Sequence, residues 1–183
     1  HLAYECFVSL ASRPRQELIV DRSLERRTMK SGFLLAVSFL LSRRLTDWTS
    51  KTRVGILFPP GLGAFIANLA VVLAGKVPVN LNFTLGASSA AACLQKADVD
   101  CLLTTERVQH KIPHFPWPES GIIDLVEEMK SMPKAQALRC LVGFIYAPQN
   151  YSRRYSRSPL RVANMRLACS LLVAVLANLR ASF

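Results

Sequence analysis

The stretch from Arg53 to Thr105 most constrains what this chain can fold into. An apolar run, Val54 to Phe58, stops at Pro59-Pro60, and a Gly61-Leu62-Gly63 turn opens a long apolar helical pattern that Gly75 ends. A short strand is predicted at Val77 to Leu81, a helix over 87–97 and a third strand at Cys101 to Thr104. Strand–helix–strand–helix–strand with short connections predicts parallel strands joined by right-handed crossovers. The fold class is therefore α/β: a parallel or mixed sheet flanked by helices. This pattern fixes a class of fold and leaves function open.

On either side, shorter elements read less strongly. Residues 1–12 have the apolar spacing of a short amphipathic helix, with Leu2, Phe7 and Leu10 as its contacts. Glu17 to Asp21 reads as a strand, and the charged residues after it as a turn into a second strand. Thr28 is placed to cap a helix over 29–45 in which Phe33, Val37, Leu41 and Leu45 form one buried face. In the helix after Gly63, the stripe Leu62, Phe65, Ile66, Leu69 and Val72 is expected to be buried, each large side chain contributing roughly 1.5–3 kcal/mol, and the Ala-rich opposite side suits a helix packed on both sides. Further on, 106–111 reads as a short helix, and 112–118, with three prolines, as irregular. Gly121 to Leu125 is a fourth strand candidate and 126–132 a short helix ended by Pro133.

Charge divides the chain. All twelve acidic residues lie at or before Glu128, against fourteen Lys/Arg there, whereas residues 129–183 carry nine Lys/Arg and no acid. We read 1–138 as one unit and 139–183 as a basic, irregular segment ending in a helix from Leu167 to Ala181. A change of reading frame near Cys140 would produce such Arg- and Ser-rich text. The His at position 1 reads as the start of a fragment or a processed chain. Five Cys without C-x-x-C spacing point to reduced thiols, and no signal peptide is visible, so a cytoplasmic location is expected. Leu62–Ala74 and Leu167–Leu179 are shorter than the ~20 residues a spanning helix needs. The second, flanked by arginines, suits a peripheral contact with the inner membrane.

Candidate chemistry is sparse. Gly61-Leu62-Gly63 has the strand-to-helix setting of a phosphate-binding turn, yet Ile66 stands where a third glycine belongs and no Gly-Lys-Ser/Thr follows. A structural tight turn is the preferred reading. His110 and His114 are four apart, but Pro113 lies between them, which favours a loop pair without metal. Asn80 and Asn82, at a strand end where open α/β sheets bind ligands, are the candidate substrate-binding residues, with turn capping as their simpler role. The arginines of 153–166 suit phosphate groups, but no nucleic-acid motif accompanies them, so a nucleic-acid partner is not expected.

The run PPGLGAFIANLAVVLAGKVPVNLNFT (59–84) resembles the early part of AMP-forming acyl-activating enzymes. Within them it looks most like the bacterial acyl–acyl carrier protein synthetase domain fused to a lysophospholipid (2-acylglycerophosphoethanolamine) acyltransferase. The helix at 29–45 and the pattern FPWPESGIIDL (115–125) fit the same resemblance, which covers about residues 1–138. It implies an ATP- and Mg²⁺-dependent ligase that activates a fatty acid as its adenylate. The acyl group then passes to an acyl carrier protein or coenzyme A. The family's phosphate loop ending Pro-Lys-Gly and its lid lysine do not occur in this sequence, so no catalytic residue, metal ligand or cofactor contact transfers to it. The expectation is the N-terminal part of an acyl-adenylating domain, inactive and without cofactor on its own. The alternative is a non-enzymatic basic module on an anionic membrane surface.

Overall fold

The computed structural model describes residues 2–21, 27–82, 84 and 86–146. In chain order it has α1 (Leu2–Ser12), β1 (Glu17–Asp21), β2 (Arg27–Lys30), α2 (Ser31–Trp48), β3 (Arg53–Ile56), α3 (Leu62–Leu73) and β4 (Val77–Asn80). There follow α4 (Ala87–Ala97), β5 (Leu102–Thr104), α5 (Glu106–Lys111), β6 (Ile122–Asp124), α6 (Leu125–Ser131) and α7 (Lys134–Tyr146). The calls on 22–26, on the arginines of 153–166 and on a helix over 167–181 lie outside the described residues.

The central unit forms as its pattern predicts. β3 pairs with β4 and with β5, and β5 with β6, all parallel, giving the order β4-β3-β5-β6. Alternation along the strands sorts their side chains to two faces. Val54, Ile56, Cys101 and Leu103 join the core that α2 and α3 build. Leu57 and Leu102 join a smaller cluster with Leu81, Ala90 of α4 and Phe115. Strands buried on both faces read as continuous apolar runs, as Val54–Phe58 does. β1 and β2 do not enter this sheet; they form a separate antiparallel pair.

α2 departs most from its reading. It was assigned one buried face, yet Leu34, Leu35, Ala36, Val37, Ser38, Phe39, Leu40 and Leu41 are all buried. The reason is that α1, α3 and α7 pack around it. The edges of Phe7 (α1) and Phe39 (α2) meet Phe144 of α7 nearly perpendicularly, at 5.3 and 5.5 Å between ring centroids. A helix buried all round has no polar face to reveal. Thr28 is not its cap, because it pairs with Val20 in the hairpin; Lys30 occupies the N-cap position without a side-chain hydrogen bond.

Smaller corrections share a cause. Leu2 is 64% exposed and Ala3 is buried in its place. Phe65 is 44% exposed, while Ile66, Ala67, Leu69, Ala70, Val71 and Leu73 are buried. The buried face of α3 is thus rotated toward its alanines, because close approach to α2 favours small side chains. Gly75 ends α3 as expected, with φ +73° and its N–H on Val72 O at 3.0 Å. α7 runs across the 138/139 boundary, so residues 139–146, expected to be irregular, are helical, and it buries Cys140, Leu141 and Phe144. Among the described residues, no helix is long and apolar enough to cross a membrane.

Candidate functional site

The ends of parallel strands are where an α/β sheet offers backbone N–H groups to a ligand. In this chain several of those groups are met by its own side chains. The Asp21 carboxylate, at the end of β1, accepts from Leu62 N at 3.1 Å in the first turn of α3. A Cβ on Gly61 would lie 3.1 Å from the same Asp21 oxygen, so glycine makes room for that carboxylate. Asp124, at the end of β6, serves two helices. Its Oδ1 accepts from Val126 N (2.7 Å) and Glu127 N (2.9 Å) of α6, and its Oδ2 from Glu106 N (2.5 Å) of α5. The Thr105 hydroxyl accepts from Val108 N at 3.3 Å.

Asn80 and Asn82 fall on either side of this arrangement. The Asn80 amide exchanges two hydrogen bonds with Asn68 of α3, at 3.0 and 2.9 Å, and Asn68 also donates to Ala64 O at 2.8 Å. Asn82 Oδ1 accepts from Thr84 N (2.9 Å) and from its hydroxyl (2.8 Å), an Asx turn. Both residues border a cleft of about 420 Å³ between α4 and β4, which also reaches Arg53, Lys96, Cys93 and Phe115.

The opposite end of the sheet is knitted by loops. Lys76 Nζ donates to Thr49 O (2.9 Å) and Lys51 O (2.7 Å) just past α2. Thr49 donates to Asp100 at 2.5 Å, and Lys51 bridges Asp98 at 2.6 Å, which raises the lysine pKa and lowers the carboxyl. Burial pushes the Cys101 thiol up to about 11, with the Asp100 charge adding and Lys76 opposing. Cys140 is raised by burial, and Cys6 by burial and then by Glu5. Such protonated thiols are poor nucleophiles. All four described cysteines are free. His110 and His114 do not share a helix, since α5 ends at Lys111; His110 instead meets Glu106 at 3.4 Å.

Neither a nucleoside triphosphate nor its Mg²⁺ fits the strand-end turns described. A phosphate at the start of α3 would have to replace the Asp21 carboxylate or sit against it, and like charges repel there. Among the described residues, no three His, Cys, Asp or Glu gather as metal ligands would. The Asp124 cap had a local signature, Asp-x-x-Glu before a helix (124–127). The Asp21 cap had none, because it comes from 41 residues away.

No family profile and no curated protein matches the chain. Solved structures do match. One is a nonribosomal peptide synthetase with α-methyl-L-serine-AMP bound, 18% identical, TM-score 0.60, over 73% of this chain and 15% of that one. Another is the inhibitor-bound N-terminal domain of FACL13 from Mycobacterium tuberculosis, 19% identical, TM-score 0.58, over 72% and 36%. A third is the Mycobacterium tuberculosis fatty acyl CoA synthetase, 19% identical, TM-score 0.57, over 70% and 28%. The fold is that of the N-terminal subdomain of AMP-binding enzymes. The chain spans between 15% and 36% of the length of these three proteins.

Proposed function

We propose that this chain is the N-terminal part of an ATP-dependent acid-activating ligase whose substrate is a fatty acid. The observation that carries the reading is the coincidence of a fold and a motif. The β3–α3–β4 unit has the architecture of adenylating enzymes, and Pro59–Thr84, the run with the family resemblance, forms its strand end, its helix and its second strand. The acyl acceptor in this reading is a carrier protein or coenzyme A, and a lysophospholipid is a further acceptor in a fused parent. ATP and Mg²⁺ belong to that parent. They supply the leaving pyrophosphate and the charge compensation of adenylate formation, on elements other than the ones described above. Residues 1–138 are the adenylating portion and 139–183 a basic segment, with α7 joining the two. The parent acts in the cytoplasm or at the inner face of the membrane. The anionic-surface alternative rests on residues outside those described and has no observation in its favour.

The genomic sequence on both sides of this chain tests the proposal. A Pro-Lys-Gly phosphate loop and a lid lysine encoded downstream are expected. Unrelated coding sequence downstream, with no adenylating motif, removes it. An acyltransferase encoded upstream would assign the fused subgroup.

A further inference from the structure

The cleft between α4 and β4 exists for a definable reason. β4 is an edge strand, and the side chains paired with Arg53 and Gly55, those of Val77 and Val79, face the α4 side of the sheet. α4 covers them only in part: Val79 is half-buried, Val77 is 49% exposed, and of the eleven residues of α4 only Ala90 is buried. The wall that α4 offers is Ala90, Cys93 and Ala97, too small to fill the space above the strand. The result is an apolar trough of about 420 Å³ that ends against Phe115, in the range of small-molecule sites.

Its charged lining is one-sided. Besides the amides of Asn80 and Asn82, Arg53 and Lys96 border it, both exposed, and among the described residues no carboxylate does. The neighbouring Asp98, whose pKa Arg53 helps to lower, is already paired with Lys51. A peptide strand is a poor occupant. Val77 N and Leu81 N donate to Thr52 O and Ile56 O on the β3 side, and Pro78, which would point outward, has no N–H. The edge therefore lacks the donor ladder that strand addition uses.

We propose that this cleft binds a small amphiphile with an anionic head and an unbranched apolar body, the head at Arg53 and Lys96 and the body over Val79 toward Leu81 and Phe115. The cleft shares Val79, Leu81 and Phe115 with the runs that carry the family resemblance, but its two cations, Arg53 and Lys96, lie outside those runs, and the site rests on the cleft and not on the ligase reading. The exposed Cys93 thiol reports on it. The full chain is alkylated with iodoacetamide and the Cys93 peptide quantified by mass spectrometry. Decanoate, decyl phosphate, decyltrimethylammonium and inorganic phosphate are each added below micelle formation. At about four times the dissociation constant, the two anionic amphiphiles should slow Cys93 alkylation about five-fold, by mass action. Their difference assigns the head as carboxylate or phosphate. Inorganic phosphate and the cationic amphiphile should leave the rate unchanged. Arg53→Gln with Lys96→Gln should abolish protection while circular dichroism stays unchanged. Ala97→Phe, which fills the trough, should prevent it as well. Equal protection by the cationic amphiphile, protection that survives the double substitution, or no protection at all overturns the proposal.

Discussion

At the scale of single residues, backbone space decides more than side-chain chemistry. Gly121 has φ +80°, and a Cβ there would lie 2.0 Å from Asp100 O, which is part of the chain entering β5. Gly75 has φ +73° with nothing within 4 Å. Gly75→Ala should therefore cost about 1–2 kcal/mol, the left-handed penalty alone. Gly121→Ala should cost roughly 3 kcal/mol or more, because main chain must also move. Urea midpoints of the two variants rank them, and equal midpoints would show that the β5–β6 approach is looser than described. Cys101 gives a pH prediction. Its thiol titrates near 9 when unfolded and near 11 when folded, so between these values the unfolded chain holds fewer protons. Stability is then unaffected below about pH 9 and falls as pH rises toward 11. By pH 10.5 the loss is about 2 kcal/mol. Cys101→Ala should lack that part of the decline. Both proteins share their lysine titrations, so identical pH profiles would mean the thiol is not held in low dielectric.

Helices and strands show which signals a sequence carries. Gly75 closed α3 and opened β4 legibly, because a glycine ending an apolar helical run has few other uses. The Asn82 turn was legible for the same reason: an Asx turn needs only a neighbour two residues on. α2 was not, since a period of 3.6 reveals a helix only when one face meets water, and α1, α3 and α7 leave it little. The packed Ala-rich side of α3 was legible, but the exposure of Phe65 was missed because hydrophobicity ranks Phe65 above Ala70, whereas close helix approach reverses that order. The reciprocal Asn68–Asn80 pair spans twelve residues and had no local signature. Leu69, by contrast, is 6% exposed on the face that α3 turns inward. Leu69→Ala should cost roughly 2–5 kcal/mol by opening a cavity between α3 and its neighbours. A chain of this size has only about 5–15 kcal/mol to lose, so circular dichroism should show a substantially unfolded population. A melting midpoint that does not move would mean that α2 and α3 are not in close contact.

For the whole molecule, the question is what these elements do without further chain. Forming an acyl-adenylate requires N–H groups, cations and Mg²⁺ aimed at the charge developing on the transferring phosphate. In the described residues, several of the N–H groups at the strand ends are directed elsewhere. Asp21 holds the start of α3, and Asp124 holds the starts of α5 and α6. Each carboxylate stabilises its helix, as capping generally does by about 0.5–2 kcal/mol, and each repels a second anion at the same place. Among the cations of the loops, Lys76 is bound to carbonyl oxygens and Lys51 to Asp98, so neither is poised for a phosphate. The purified 183-residue chain should therefore neither bind ATP tightly nor exchange pyrophosphate into ATP with a palmitate-length acid, whereas the longer ligase proposed above should do both. Calorimetric titration of ATP and a labelled-pyrophosphate exchange assay measure the two. If Asp21 is what excludes phosphate from α3, Asp21→Asn should leave exchange absent but let an anion approach that turn, seen as sulfate-dependent stabilisation. Fatty-acid-dependent exchange by the unmodified chain, above a heat-killed control, would place an active site on the very helix starts that Asp21 and Asp124 cap.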